Sequence, residues 1–182
     1  FVGRHLVPRL AAAGYAVTVL SRHRDRHREL WPLPGVEVRN VNVHDGAALE
    51  RNLRGAVAAI NLVGILNESG RKGAGFNRAH TELTRTLLAA MGRAGVPRLL
   101  QMSALRAGEG RSHYLRTRGE AEAVVERSGL AWTTFRPSVI FGREDAFLNL
   151  FARILRVAPV LALARADARF HPVFVGDVAA CL

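Results

Sequence analysis

The sequence predicts an open, doubly wound α/β sheet, and three observations carry that expectation. Short runs rich in β-branched residues alternate with helix-periodic stretches along the 182-residue chain. Such alternation implies parallel strands joined by right-handed crossovers, with helices on both faces. One run, AVAAINLVGI (56–65), is almost wholly apolar, as a strand buried on both faces requires. Stop signals stand at element ends, at Gly14, Gly55 and Pro137.

The elements follow in order. RHLVPRLAAA (4–13) reads as a helix ended by Gly14, and YAVTVL (15–20) as a β-branched strand. VEVRNVNV (36–43) is a second strand, and GAALERNLRG (46–55) a short helix closed by glycine. The apolar strand 56–65 leads into a polar, glycine-rich loop, NESGRKGAG (67–75). Over 76–95, Leu83, Leu87, Leu88 and Met91 recur at helical spacing. PRLLQMSAL (97–105) is a strand, 112–128 a helix, and AWTTFRP (131–137) a strand ended by proline. No internal repeat is present. FVGRHL lacks an initiator Met and the apolar strand expected to lead into it, and GDVAACL stops where a helix starts; a piece of a longer protein, trimmed at both ends, is the expectation.

About half of the residues are hydrophobic, enough for one domain with a sizeable core. Cys181 is the single cysteine, so no disulfide and no cysteine-based metal site can be built within the chain. That usage fits a reducing, cytoplasmic-type compartment. No stretch reaches the roughly 20 apolar residues of a spanning helix. The net charge of +11 is carried by 25 Arg and one Lys, Lys72. A basic surface attracts nucleic acid, anionic lipid or a phosphorylated ligand. The only dense run is SRHRDRHRE (21–29), without interleaved aromatics, so nucleic-acid binding is not expected.

In sheets of this class, ligands bind at the carboxyl ends of the strands. FVG (1–3) reads as the tail of a glycine-rich phosphate loop, with Gly3 allowing close helix–strand packing; an ordinary helix entry is the alternative. A dinucleotide site selective for NAD(H) places an acidic residue after the second strand. Here Ser21 and Arg22 stand instead, a hydroxyl and a guanidinium suited to a 2′-phosphate. NADP(H) is therefore favoured over NAD(H). Arg24, Arg26 and Arg28 read as a solvated face. Asp45 accepts from the adenine amino group, with the Gly46 backbone at the ring edge, or only caps the helix at 46–55; the two roles are compatible. Leu62, Val63 and Gly64 let a dinucleotide lie close.

Taken together, FVGRHLVPRL, NLVGIL, NESGRKGAGF with AHTELT, QMSAL, SHYLRTRGEAE and RPSVIFGREDAFLN resemble the atypical short-chain dehydrogenase/reductase family, on an NAD(P)-binding Rossmann fold. The nearest branch in appearance holds the NADPH-binding accessory subunit of respiratory complex I and its bacterial relatives. The resemblance implies a Rossmann domain over 1–137. Residues 138–182 would form the nicotinamide-side loop and an incomplete C-terminal substrate lobe, with Asp177 at a helix start. It also implies catalytic positions at Ser103, Tyr114 and Arg118, and coenzyme contacts at Arg136, Pro137 and Ile140 near the nicotinamide. The family keeps a lysine where this chain has Arg118. Free tyrosine titrates near pH ~10, so proton transfer at neutrality needs a nearby cation. Arg118 lies one helical turn from Tyr114 and is permanently charged. Singly, these residues also read as a half-buried aromatic, a strand-end hydroxyl and a solvated charge paired with Glu122.

AFLNLFARILRVAPVLALARA (146–166) is densely apolar, with Arg153 and Arg156 among its few charges. A helix over 146–157 would gather Phe147, Leu150, Phe151, Ile154 and Leu155 on one side, until Pro159 interrupts it. That side is either buried by further chain or offered to membrane lipid, a quinone-like substrate or a partner subunit. Two functions follow. One is an NADP(H)-dependent reductase. The other is a non-catalytic nucleotide-binding accessory protein of a membrane redox complex, peripheral at the inner face of the membrane.

Overall fold

The computed structural model describes residues 1–68, 72–145, 147–158 and 169–182. Helix α1 (Val2–Ala12) precedes β1 (Val17–Ser21), a 3₁₀ turn (Arg24–Leu30) and β2 (Val36–Asn40). Helix α2 (Gly46–Leu53) and β3 (Ala58–Asn61) follow. A continuous helical run then comprises α3 (Ala74–Asn77), a π turn (Arg78–Glu82) and α4 (Leu83–Ala94). Next come β4 (Arg98–Met102), α5 (His113–Glu126), β5 (Ala131–Phe135), β6 (Ile140–Phe141), α6 (Leu148–Val157), β7 (Val173–Phe174) and α7 (Val175–Cys181).

Every strand pair is parallel, as the alternation requires, but the ladders are three: β1–β2, β3–β4–β5 and β6–β7. Strands β1 and β3 do not bond each other, and a cavity of about 1900 Å³ runs between them to the strand ends. The larger core lies under β3 and β4, where Leu49, Leu53, Leu87, Met91, Leu99 and Val125 pack together. A smaller one joins Val7, Leu30 and Val38 beneath β1 and β2.

Two expected strands end early for the same local reason. The strand expected to 43 stops at Asn40, because Asn42 Oδ1 accepts from His44 N–H (3.1 Å) and turns the chain. The strand expected to 65 stops at Asn61, whose Oδ1 accepts from Val63 N–H (3.1 Å). Arg24, Arg26 and Arg28 are exposed, as expected of a solvated face, and lie on the 3₁₀ turn. Arg24 stacks 4.6 Å above the Trp31 ring, and the Arg26 carbonyl accepts from Arg4 (3.0 Å). In α6 no side chain is buried: Phe147 beside it, Leu150 and Leu155 are all exposed. Residue 146 and Pro159 lie outside the described residues. Among the described residues, no helix is long and apolar enough to cross a membrane.

Candidate active site at the carboxyl ends of the strands

The floor of the site is set by β3 and β4. Their register is locked by a buried amide pair, Asn61 Nδ2 donating to Gln101 Oε1 (3.0 Å), while Gln101 Nε2 donates to the Met102 carbonyl (3.3 Å). Helix α1 enters beside this floor; a Cβ at Gly3 would stand 3.6 Å from Leu62, an ordinary contact, so the close packing expected of this glycine is not required here. Just past β4, Ser103 N–H donates to the Phe135 carbonyl (2.8 Å), continuing the β4–β5 ladder. Its Oγ is buried and has no hydrogen-bond partner among the described residues.

Helix α5 brings the other two predicted residues. Ser112 caps it, Oγ accepting from Leu115 N–H (3.2 Å). Tyr114 then lies in the first turn, its ring edge-to-face against His80 (5.4 Å) and Phe76 (5.9 Å). One turn on, Arg118 is only 6 % exposed. Its Nη1 donates to the carbonyls of Met102 (2.9 Å) and Val63 (3.4 Å), and its guanidinium carbon lies 5.5 Å from the Tyr114 centroid. The Nε proton, also buried, has no partner. A Cβ at position 64 would overlap this guanidinium; Gly64 is the glycine that admits it.

The alternative reading of Arg118 as a solvated charge paired with Glu122 is therefore overturned. Glu122, 4 % exposed, is taken by Arg136, whose Nε donates to its carboxylate at 2.9 and 3.1 Å. That ion pair holds the Arg136 guanidinium against α5, and Arg136, expected at the nicotinamide, is not among the residues lining the cavity. Pro137 and Ile140 do line the cavity, with Gly3, Ser21, Leu62, Val63, Gly64, Ser103, Tyr114 and Arg118. Arg22, Asp45 and Gly46 stand outside that wall. Asp45 caps α2, Oδ1 accepting from Ala47 and Ala48 (2.9 and 3.1 Å). The Ser21 hydroxyl is engaged locally, accepting from His23 N–H (3.2 Å) and lying 3.0 Å from His27 Nε2.

Several site residues were not singled out from sequence. His44 sits where burial, then the charges of Arg78 and Arg22, hold its pKa below the ordinary histidine value. Those two guanidinium groups thus act on one spot after β2. Asp145, within the quoted RPSVIFGRED, is buried and organises the turn into α6. Its Oδ1 accepts from Leu148 N–H (2.6 Å), and Asn149 Nδ2 donates to its Oδ2 (3.1 Å). His80, buried in the helical run before α4, is a third.

A dinucleotide fits this constellation. Ser103 Oγ and Arg118 Nε, two buried polar atoms without partners among the described residues, belong to side chains that line one cavity, beside a glycine where a Cβ would displace the Arg118 guanidinium. The comparisons agree. A family model described as NAD(P)H-binding matches residues 1–146, and the chain belongs to that family. It is 33 % identical over 184 residues to a ceramide reductase of Caulobacter vibrioides, covering 100 % of this chain and 56 % of that protein. It is 31 % identical over 189 residues to the mitochondrial NADH dehydrogenase [ubiquinone] 1 alpha subcomplex subunit 9 of Arabidopsis thaliana, covering 100 % and 46 %. The chain spans about half the length of these curated relatives. The UDP-glucose 4-epimerase of Thermotoga maritima shares the fold, with a TM-score of 0.82 at 21 % identity over 99 % of this chain and 68 % of that one. The NAD(P)-binding family and the similarity to the complex I subunit, both expected from the motifs, hold.

Proposed function

We propose that this chain is the coenzyme-binding part of an NADP(H)-dependent reductase of the atypical short-chain type, acting on a hydrophobic or quinone-related carbonyl compound. The observation that carries the reading is that Tyr114 lines the same cavity as Ser103 and Arg118, whose buried Oγ and Nε have no partner among the described residues. Buried polar atoms without partners are uncommon in folded proteins and are accounted for by a ligand or a chemical role. When bound, the dinucleotide supplies the hydride. Ser103 Oγ donates a hydrogen bond to the substrate oxygen, and the Tyr114 hydroxyl gives that oxygen its proton. Arg118, fixed by two carbonyls, stabilises negative charge developing on the tyrosine oxygen and offers Nε to the ribose. Gly3, Leu62, Val63, Gly64, Pro137 and Ile140 would border the dinucleotide, and Asp45 and Gly46 its adenine end. Residues 138–182 would begin the substrate side.

For the coenzyme, Arg22, reinforced by Arg78, supports a 2′-phosphate contact. Calorimetric titration of the full-length protein should show NADPH bound about tenfold more tightly than NADH, and Arg22→Ala should erase most of that margin. Equal affinities in the parent protein would end the preference for NADP(H). Tyr114→Phe should keep the dissociation constant while lowering turnover of long-chain keto compounds or quinones by roughly 10²–10⁴-fold.

A second reading is favoured by the Arg118 bonds to Val63 and Met102 carbonyls and by the subunit named above. In it the protein holds the dinucleotide without turning it over, within a membrane redox complex. The exposed apolar residues of α6, interspersed with Arg153 and Arg156, suit a peripheral position on a membrane or a partner subunit. Tight coenzyme binding with no turnover of any tested acceptor would select this reading.

A further inference from the structure

The helical run after the 67–75 loop is widened by the π turn at Arg78–Glu82. Such single turns inside α-helices are frequent at functional sites. Here it carries His80, 1 % exposed, held at both ring nitrogens. Nε2 accepts from Ile65 N–H (3.4 Å), and Nδ1 lies 2.9 Å from Thr117 Oγ1. Thr117 Oγ1 spends its own proton on the carbonyls of His113 (2.9 Å) or Tyr114 (3.1 Å). Its lone pair is therefore free for a proton on Nδ1, and this bonding pattern assigns the Nδ1–H tautomer.

The same ring meets Tyr114 edge-to-face at 5.4 Å and lies tilted against Phe76 at 5.7 Å. Ile65 directly follows Gly64, against which the Arg118 guanidinium rests. One side chain thus joins the loop after β3 to the helix that carries Tyr114 and Arg118.

We propose that His80 is a positioning residue: it ties the Ile65 backbone to α5 and sets the Tyr114 ring, so that the loop bordering the dinucleotide and the proton-transfer group keep one register. This rests on the reductase reading of Tyr114 and the strand ends. If His80 only filled space, phenylalanine would serve as well. Two polar bonds require a graded response instead. His80→Asn keeps a donor near Nδ1 and loses Ile65. His80→Gln keeps an acceptor near Nε2 and loses Thr117. His80→Phe loses both.

The test uses the full-length protein labelled with 3-fluorotyrosine, its fluorine lines assigned by Tyr→Phe replacement, together with NADPH calorimetry. The Tyr15 line, from an exposed residue, should stay fixed in every variant. The Tyr114 line should move and broaden in His80→Phe, and move less in His80→Asn and His80→Gln. The NADPH dissociation constant should rise about tenfold in His80→Phe and less in the other two. Thr117→Val, approaching from α5, should reproduce the His80→Gln spectrum, and it decides by the same two readouts if His80→Phe does not fold. A Tyr114 line and an affinity unchanged in His80→Phe, or in Thr117→Val where that variant decides, overturn the proposal. A parent protein that binds neither coenzyme while its Tyr114 line still answers to His80 leaves the positioning role standing and removes the reductase reading.

Discussion

Gly119→Ala is expected to destabilise the fold by about 2–4 kcal/mol, with a fall of roughly 10 °C in Tm. Position 119 lies inside α5, where helix propensity alone would make alanine an improvement of about 1 kcal/mol. The neighbour decides the sign. A Cβ there would run into the Gly108 Cα, come within 2.6 Å of the Gly108 nitrogen and stand 3.3 Å from the Ala107 carbonyl carbon. These are backbone atoms, with no rotamer to yield. Gly108 itself has φ of 83° and donates to the Leu115 carbonyl (2.8 Å), so moving it breaks that bond and disturbs the loop between Ser103 and Ser112. Gly92 is the control. It also lies in a helix, nothing stands within 4 Å of its would-be Cβ, and Gly92→Ala should stabilise by about 0.5–1 kcal/mol. Urea denaturation of the two variants should give midpoints displaced in opposite directions. Displacement the same way would refute the close helix–loop approach.

Acid should weaken the fold between pH 6.5 and about 4, by about 3 kcal/mol in all, through His80. Burial first, then the Arg118 charge, pushes its pKa from 6.5 down to about 4. Protonation at Nε2 would also set a second donor against the Ile65 N–H. Arg118 and Tyr114 are the titratable groups facing the ring from α5. On its other side, Thr81 is bonded to the Thr117 carbonyl and to Glu120 (both 3.2 Å). The native chain keeps His80 neutral while the unfolded chain takes up a proton below pH 6.5. Stability is therefore fully present above pH 6.5 and is lost as pH falls towards 4. Denaturation midpoints followed across that interval should drop steeply for the parent and much less for His80→Gln. Equal slopes would mean that other groups carry the acid response.

The alternation of strand and helix was legible from apolar runs such as 56–65, but burial on both faces did not follow. Strand β3 is an edge strand buried at Ala59 and Asn61 and only half-buried at Ala58 and Ile60, and Val57 is exposed. Strand ends were not legible, since Asn42 and Asn61 turn the chain with a single side-chain oxygen inside otherwise strand-like runs. The π turn left no signature: the apolar residues read at helical spacing, Leu83, Leu87, Leu88 and Met91, all follow it, so His80 looked like any helical histidine. Arg118 and Glu122, four apart on one helix, invited a surface pair. Burial of both and competition from Arg136, across the chain on the end of β5, decided otherwise. Ser103, Tyr114 and Arg118 were singled out by the resemblance of their motifs to a known family, and all three line one cavity in the structure. The exposure of α6 depends on what packs against it, which lies beyond any local pattern.

The guanidinium resting on Gly64 ties position 64 to position 118. A Cβ at 64 would push aside the far end of a side chain that can swing. An alanine there is therefore felt through the Arg118 bonds to the Met102 and Val63 carbonyls and not through a collision of backbones.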